Sequence, residues 1–289
     1  MIKISNMNRD MIDMAADFIE KQNNIKSKYI GYCGTEFEEI RYSLLNDFSD
    51  LPLEESMVLA FDDNRLVGVL GFDIDTNANC IEVWGPFVEH EEWIDAAQKL
   101  WLSASERIPD EIKDIKMFID LENKNCIEFA EMMNLKRMSI EKIMEFKRED
   151  AACLEPIEFE ELTPPFYDDM KKLHDRTFQK TYYPGETIAN RINENRRVFV
   201  VAEGSSLLGY IYIEVEPEFG EGTIHYVAVR EDIRGKGIGS KLLSMALKWA
   251  FSFETIKSIE LCVNGKNIAE NLYERVGFNT KNTLVYYRQ

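Results

Sequence analysis

The chain has 289 residues, of which 45% are hydrophobic, and it carries a net charge of −18 at neutral pH. This length and apolar content favour two domains of ordinary size. The acidic balance argues against nucleic acids and anionic membranes as partners, and no run approaches the roughly 18 apolar residues of a membrane span. Residues 1–20 lack the basic and apolar regions of a signal peptide, so we expect a cytoplasmic protein.

The cysteines and histidines show no spacing that is typical of a metal site. The five cysteines are far apart and include no C-x-x-C pair, and the three histidines include no H-E-x-x-H pair. We therefore expect reduced core thiols and no metal ion.

Two long stretches of the chain resemble each other at a nearly constant offset. Residues 58–75 resemble residues 198–216, and residues 81–88 fall on residues 222–229 at the same offset. The acidity is not repeated, because the first half contains 32 acidic and 17 basic residues and the second half 20 and 17. The chain therefore contains an internal repeat whose copies differ in charge.

Each copy predicts the same succession of elements: two helices, a hairpin, a third strand, a helix, a strand, a helix and a final strand. The predicted hairpin turns are Asp63-Asn64 and Gly204-Ser205. We divide the chain into a domain of residues 1–150 and a domain of residues 151–289.

The sequence TIHYVAVREDIRGKGIG, residues 223–239, is an apolar strand followed by a glycine-rich turn and the start of an amphipathic helix. Glycines let bare backbone N–H groups converge on one anion, and the helix adds its positive end. The pattern predicts a diphosphate site. It is not a Walker loop, since Ser240-Lys241 follow in the wrong order, nor a Rossmann loop, since Ser240 replaces the third glycine. The predicted site residues are Arg234, Gly235, Lys236, Gly237, Ile238, Gly239 and Ser240.

The first copy has a different turn at the equivalent place. Residues 90–95, HEEWID, contain no glycine and three acidic side chains. Such a turn would keep its backbone away from a diphosphate and would repel its charge. Trp84 also stands where the second copy has His225. We expect the first copy to be degenerate for this ligand.

Two motifs of the second half resemble the Gcn5-related N-acetyltransferase (GNAT) superfamily. The pyrophosphate signature of that family is matched by Arg234, Gly237 and Gly239. Its closing motif is matched by Asn267, Ala269, Leu272-Tyr273 and Gly277-Phe278. The resemblance covers about 130 residues and extends weakly, through the repeat, to the rest.

This resemblance implies an α/β (α+β) fold of two tandem acyl-CoA N-acyltransferase-like domains. Each would be a mixed, mostly antiparallel sheet flanked by helices, with its fourth and fifth strands splayed apart. The co-substrate would be acetyl-CoA. Its pantetheine would pair with the backbone of Val227, Ala228 and Val229, and Asn267 would contact the pantetheine region or cap its helix.

The resemblance also implies where the chemistry takes place. Tyr273 stands at the position of the acid that protonates the departing thiolate, and the alternative is a half-buried packing tyrosine. His225 is the candidate base, directly or through water, because its ordinary pKa suits proton removal at neutral pH. The alternative is a core histidine whose hydrogen bonds are satisfied within the protein. Strand alternation predicts that His225 shares a face with Val227 and Val229. Other candidate bases are Glu214, Glu216 and Glu221.

These observations predict acetyl transfer to a primary amine, of a small molecule or a peptide, by direct attack in the C-terminal domain. Alternatives are a non-catalytic acyl-CoA-binding regulator and an O-acyl or longer-chain acyltransferase. Four residues could receive an alkyl ammonium by cation–π and ionic contacts, or could equally pack a loop: Phe178, Tyr182, Tyr183 and Glu186. We expect a monomer or a homodimer, with residues 284–289 pairing between subunits or packing within their own domain.

Overall fold

The structure is a computed structural model that describes residues 1–109, 111–154, 157–179, 181, 183–265 and 269–289. Its contacts divide the chain into two compact units. Unit 1 comprises Met1–Glu141 together with Asn282–Gln289, and unit 2 comprises Lys142–Lys281. The sequence-based division at residue 150 did not anticipate that the C-terminal residues return to the first unit.

Unit 1 begins with strand β1 and two helices and continues with a succession of strands and helices. Its elements are β1 (Ile2–Asn6), α1 (Ile12–Asn23), α2 (Phe37–Asn46), α3 (Leu53–Ser56), β2 (Met57–Asp62), β3 (Arg65–Asp75), β4 (Cys80–Val88), α4 (Trp93–Ser105), β5 (Asp114–Asp120), α5 (Lys124–Met132) and the start of β6 (Lys136–Lys147). The predicted β2–β3 turn at Asp63-Asn64 is confirmed, and Asp63 has a positive φ of 52°.

The strands of unit 1 follow the order β1-β2-β3-β4-β5. The first three pairings are antiparallel, and β4 pairs with β5 in parallel. Helices α1 and α4 both contact the sheet, so its central strands are buried on both faces and their sequences are almost continuously apolar.

The C-terminal strand β11 (Asn279–Arg288) completes the sheet of unit 1. Its residues 284–288 pair antiparallel with β5, and Val285 and Tyr287 belong to the core of this unit. Nδ2 of Asn282 donates a hydrogen bond of 2.9 Å to Oδ2 of the buried Asp120. The strand therefore follows neither sequence-based expectation, because its partner is a strand of the first half of the same chain.

Unit 2 repeats this succession without a strand equivalent to β1 or a helix equivalent to α3 among its described elements. After the end of β6, its elements are α6 (Tyr167–Thr177), α7 (Gly185–Arg191), β7 (Arg196–Glu203), β8 (Ser206–Glu216), β9 (Glu221–Val229), α8 (Ile238–Ala250), β10 (Ser258–Asn264) and α9 (Glu270–Val276). The strand order is β6-β10-β9-β8-β7. The predicted turn at Gly204-Ser205 is confirmed between β7 and β8.

The sheet of unit 2 separates two cores. Along β8, Ile211 and Ile213 pack in the cluster that contains residues of α8, whereas Tyr210 and Tyr212 pack in the cluster that contains residues of α6 and α7. Alternation of period two therefore places apolar side chains on both faces of the strand. We call these the α8 face and the α6–α7 face.

Strands β9 and β10 pair for only part of their length. The parallel register joins Ser258–Leu261 to Glu221–Ile224, and β9 then continues to Val229 without a partner from β10. The backbone of Val227, Ala228 and Val229 therefore borders a gap in the sheet. The separation of the fourth and fifth strands that the resemblance implies is therefore present in unit 2.

A β-bulge interrupts the pairing of β8 with β9. Tyr212 lies opposite Tyr226 and Ile213 lies opposite Ile224, so that His225 is the additional residue. A bulge inserts one residue on one strand and reverses the side-chain alternation beyond it. The side chains that follow the bulge are thus displaced to the other face.

No helix of the described residues is long and apolar enough to cross a membrane. Within the same residues, no group of three or more His, Cys, Asp and Glu side chains could hold a metal ion.

Candidate active site

The predicted diphosphate turn lies directly before helix α8. Gly235 and Gly237 have positive φ angles of 79° and 82°, and Gly237 is the N-cap residue. A Cβ atom at either glycine would meet no atom within 4 Å. These two positions therefore favour glycine because of their backbone conformation, and the space beside the backbone is open. Gly239 differs, because a Cβ atom there would lie 2.7 Å from Leu272, so this glycine allows α8 and α9 to pack closely.

The backbone of this turn offers hydrogen-bond donors that the protein does not use. Among the described residues, the N–H groups of residues 235–240 have no acceptor, and the first intrahelical bond of α8 is that from Lys241 to Gly237. Unpaired N–H groups at a helix N-terminus bind anions, with help from the helix dipole. The turn is exposed, and it therefore has the geometry of a phosphate cradle.

Two cations accompany these donors. Arg234 and Lys236 are exposed, and Arg234 donates from Nε to the carbonyl oxygen of Val229 at 3.2 Å. Val229 is the last residue of β9, so this bond ties the cationic turn to the end of the strand at the gap. The exposed Asp232 nearby is already paired with Arg230 at 2.6 Å.

The bulge corrects one sequence-based expectation. Val227 and Val229 pack on the α8 face, whereas the ring of His225 contacts Tyr183 and Tyr212 of the α6–α7 face. The prediction that His225 shares a face with the two valines is wrong, because it assumed regular alternation across the additional residue. The imidazole thus approaches the strand from the side opposite α8.

His225 is held beside a charged group. Its ring stacks on that of Tyr212 with centroids 5.6 Å apart, and its Nε2 lies 3.7 Å from Oε1 of Glu214. Burial lowers the pKa of His225 below its ordinary value of 6.5, Arg191 and Arg196 act in the same direction, and Glu214 opposes them. The imidazole is therefore neutral at pH 7 and can accept a proton, with 29% of its side-chain surface exposed.

Glu214 itself is engaged by other partners. Its oxygens accept hydrogen bonds from Nη2 of Arg191 at 2.9 and 3.0 Å, from Nε of Arg196 at 2.9 Å and from the hydroxyl of Tyr212 at 2.6 Å. Burial acts to raise the pKa of Glu214, but the bonds from Tyr212 and Arg191 outweigh it and the pKa is lowered. A carboxylate with this many donors is a poor base.

The hydroxyl of Tyr226 anchors the segment that connects α6 and α7. It lies 2.6 Å from Oγ1 of Thr181 and accepts a bond of 3.2 Å from the backbone N–H of Tyr183. Tyr182 and Lys180 of this segment lie outside the described residues. Glu186, expected to contact an alkyl ammonium, is paired with Lys171 at 3.0 Å.

Tyr273 lies on α9 and packs against the core of the α8 face. Its ring meets that of Phe278 edge-on, with centroids 6.0 Å apart. Burial, with a smaller contribution from the Cys262 thiol, raises its pKa to about 12. The phenol therefore keeps its proton at neutral pH. Asn267, the other predicted residue of the closing motif, lies outside the described residues.

Sequence reasoning missed the partners around His225 and Tyr273. Arg191 and Arg196 were not singled out because nothing in their local sequence indicates a common carboxylate, and Glu214 was considered only as a base. The exposed Cys262 on β10 was grouped with core thiols. Strand alternation could have identified Cys262, since its neighbours Leu261 and Val263 are the buried residues.

Unit 1 has a similar gap between two strands, but different residues stand at the positions of the predicted site. Its β4 pairs with β5 only over Cys80–Glu82, and a cavity of about 230 Å³ lies beside the rest of β4. Trp84, at the position of His225, is buried against Phe48. In the turn before α4, Nδ1 of His90 accepts a hydrogen bond from the backbone N–H of Glu92. The backbone N–H groups of the equivalent turn in unit 2 have no acceptor among the described residues.

Asp73 of unit 1 aligns with Glu214 in the repeat, but it is surrounded by acidic side chains instead of basic ones. Burial, followed by the charge of Glu82 and other carboxylates, raises the pKa of Asp73 to about 7. In unit 2 the aligned carboxylate is stabilised by arginines. The positive side chains around Glu214 are therefore a property of the second unit.

The family model described as "Acetyltransferase (GNAT) family" matches residues 160–278. The chain is also 32% identical over 110 residues to an uncharacterised N-acetyltransferase of Methanocaldococcus jannaschii, a match that covers 37% of this chain and 69% of that relative. Residues 160–278, which the family model matches, contain the diphosphate turn, His225 and Tyr273.

Solved structures resemble the whole chain. A GCN5-related N-acetyltransferase from Sphaerobacter thermophilus has a TM-score of 0.75 at 16% identity and covers 100% of this chain and 95% of its own. A tandem GNAT protein from the clavulanic acid biosynthesis pathway has a TM-score of 0.65 at 12% identity, with coverage of 100% and 98%. Identities this low establish the fold alone. They confirm the predicted fold of tandem, mostly antiparallel sheets flanked by helices.

Proposed function

Since the chain belongs to the GNAT family of acetyltransferases, we propose that unit 2 transfers an acetyl group from acetyl-CoA to a primary amine by direct attack. The protein is an acyltransferase by its family. The observation that supports acetyl-CoA as the donor in unit 2 is the turn of residues 235–240, which is exposed at residues 235–237 and whose N–H groups have no acceptor among the described residues.

The residues of the turn suit the diphosphate of CoA. Backbone N–H groups between Gly235 and Ser240 would bind its oxygens, and Arg234 and Lys236 would neutralise its charge. The gap between β9 and β10 begins after Ile224, so the backbone of Val227, Ala228 and Val229 would pair with the pantetheine arm. The resemblance to the family also assigns Asn267 to the pantetheine region or to the cap of its helix.

The chemistry requires one proton to leave the amine and one to reach the departing thiolate. The amine nitrogen forms a bond to the acetyl carbon as the carbon–sulfur bond breaks, which yields an acetamide and CoA. His225, neutral because burial lowers its pKa, takes the amine proton directly or through water. Tyr273, protonated because burial raises its pKa to about 12, gives a proton to the sulfur and recovers one from solvent.

Calorimetric titration with acetyl-CoA tests the donor site. Gly237→Asp should weaken binding about 100-fold, because it places a side chain at φ 82° and a negative charge beside the diphosphate. Gly204→Asp is the matched control, since Gly204 also has a positive φ and an open Cβ position, in the β7–β8 turn. Equal affinity of the two variants would contradict the assignment.

Release of CoA in the presence of different amines tests the reaction. Acetyl-CoA that binds tightly to the wild-type protein, without CoA release above hydrolysis for any amine, would contradict catalysis. That result would support a regulatory protein that binds acyl-CoA.

A further inference from the structure

The carboxylate of Glu214 is saturated by its own protein. Glu214 is 9% exposed and receives four hydrogen bonds, which come from Arg191, Arg196 and the hydroxyl of Tyr212. A carboxylate has about four acceptor positions. Glu214 therefore has little capacity to bind a further donor such as a substrate ammonium.

The two arginines, in contrast, keep unused donors. Arg191 uses Nε and Nη2, and Arg196 uses Nε. Among the described residues, neither Nη1 of Arg191 nor either terminal nitrogen of Arg196 has an acceptor. The side chains are 29% and 37% exposed. Two guanidinium groups that share one carboxylate leave one positive charge, with N–H groups accessible from outside.

Contacts within the protein hold the guanidinium of Arg191 in one orientation. The guanidinium of Arg191 lies 4.4 Å from the ring centre of Tyr183, in a cation–π contact. Nη2 of Arg191 donates to both oxygens of Glu214 and Nε donates to the hydroxyl of Tyr212, and these bonds fix the plane of the group. Arginines that are held in this way recognise carboxylates because little freedom is lost on binding.

The same group lies beside the proposed base. Nε2 of His225 is 3.7 Å from Oε1 of Glu214, and the rings of His225 and Tyr183 are 5.7 Å apart. A short molecule whose amine donates its proton to His225 could therefore reach the two arginines with its other end.

We propose that the acceptor in unit 2 is a free amino acid, whose carboxylate binds the unused N–H groups of Arg196 and Arg191 while its amine faces His225. This inference rests on the proposed acetyl transfer and narrows its acceptor. It replaces the expectation that aromatic side chains and Glu186 receive an alkyl ammonium, because Arg191 already lies over one face of the Tyr183 ring and Glu186 is paired with Lys171.

The experiment compares L-amino acids with the matching amino-acid amides, which keep the amine and lack the negative charge. Binding is measured by calorimetry on the full-length protein saturated with CoA, and turnover is measured by CoA release from acetyl-CoA, both at pH 8. The wild-type protein should bind the preferred amino acid at least about tenfold more tightly than its amide and should show a similar preference in kcat/KM.

Arg196→Gln should abolish this preference by weakening the binding of the amino acid much more than that of its amide, because only the amino acid has a carboxylate for the arginine to bind. Arg196→Lys should restore part of it, since the charge returns without the planar fork. The control is Arg176→Gln, which removes a charge from α6 at a side chain that is 80% exposed. It should retain the wild-type preference.

Amides that bind as tightly as the acids would overturn the inference, as would an equal loss for both in Arg196→Gln. Use of peptides with a free N-terminus in preference to amino acids would overturn it as well. Failure of the proposed function has a different signature, namely amino acids that bind through Arg196 while no amine releases CoA.

Discussion

Nε2 of His225 lies 3.7 Å from Oε1 of Glu214. Because of the bulge, His225 is the one residue of β9 that lies opposite no residue of β8. The glutamate holds two arginines next to the imidazole, and these oppose its protonation. One carboxylate thus helps to keep the proposed base neutral through its partners, while its own charge acts in the opposite direction.

The pH dependence of kcat/KM should reflect this arrangement. The pKa of His225 is lowered, so the active, neutral imidazole is present above that pKa and is lost as the pH falls through it. We expect the rate to rise with pH at values below 6.5 and the contribution of His225 to be constant above pH 7. If the pH at which kcat/KM rises changes with the pKa of the acceptor amine, the titrating group is the substrate and not His225.

His225→Gln should lower kcat by roughly 100-fold or more, the usual contribution of a general base. The acidic limb of the pH profile should disappear together with the activity. Acetyl-CoA affinity, measured by calorimetry, should be retained, because the imidazole faces away from α8. An acidic limb that persists in this variant would exclude His225 as the titrating group.

Tyr273→Phe should reduce kcat roughly 100-fold with little change in acetyl-CoA affinity, since the ring and its contact with Phe278 remain. Because the pKa of Tyr273 is about 12, the wild-type enzyme should show no loss of activity from this group up to pH 9. An unaffected rate in the variant would remove Tyr273 from the mechanism.

Loss of the C-terminal strand should unfold unit 1 rather than unit 2. A chain truncated after Lys281 lacks Leu284, Val285 and Tyr287, all of them buried in the intact chain, and each such side chain contributes about 1.5–3 kcal/mol. The loss is comparable with the total stability of many domains. Urea unfolding with Trp249 replaced by Phe makes the measurement specific, because the remaining tryptophans belong to unit 1.

A smaller change probes the same strand. Asn282→Ala removes the Nδ2 group that bonds to the buried Asp120, and an unsatisfied buried polar group costs about 1–3 kcal/mol. The midpoint of unit 1 unfolding should fall accordingly. Asn279→Ala is a suitable control, because its side chain bonds only to the carbonyl oxygen of Gly277 and is exposed.

The sequence predicted those features that depend on local patterns. Alternating apolar residues and short turns such as Gly204-Ser205 gave the succession of elements, and the spacing of Arg234 to Gly239 gave the donor site that we propose. These signals depend on neighbours in the chain, so they can be seen without a structure.

Features that depend on a distant partner were not predictable. The bulge at His225 adds one residue without any distinctive sequence, and it placed the imidazole on the face opposite the one expected. The pairing of β11 with β5 was missed because an apolar strand does not specify its neighbour. The ionic contacts of Glu214 join three elements, and no single segment indicates them.

The return of β11 to unit 1 also affects the order in which the protein can be made. A ribosome completes β5 long before it synthesises residues 284–288, the strand that β5 needs as a partner. Until then the edge of β5 is exposed and can pair with other chains. The first half to leave the ribosome is therefore the last to be completed.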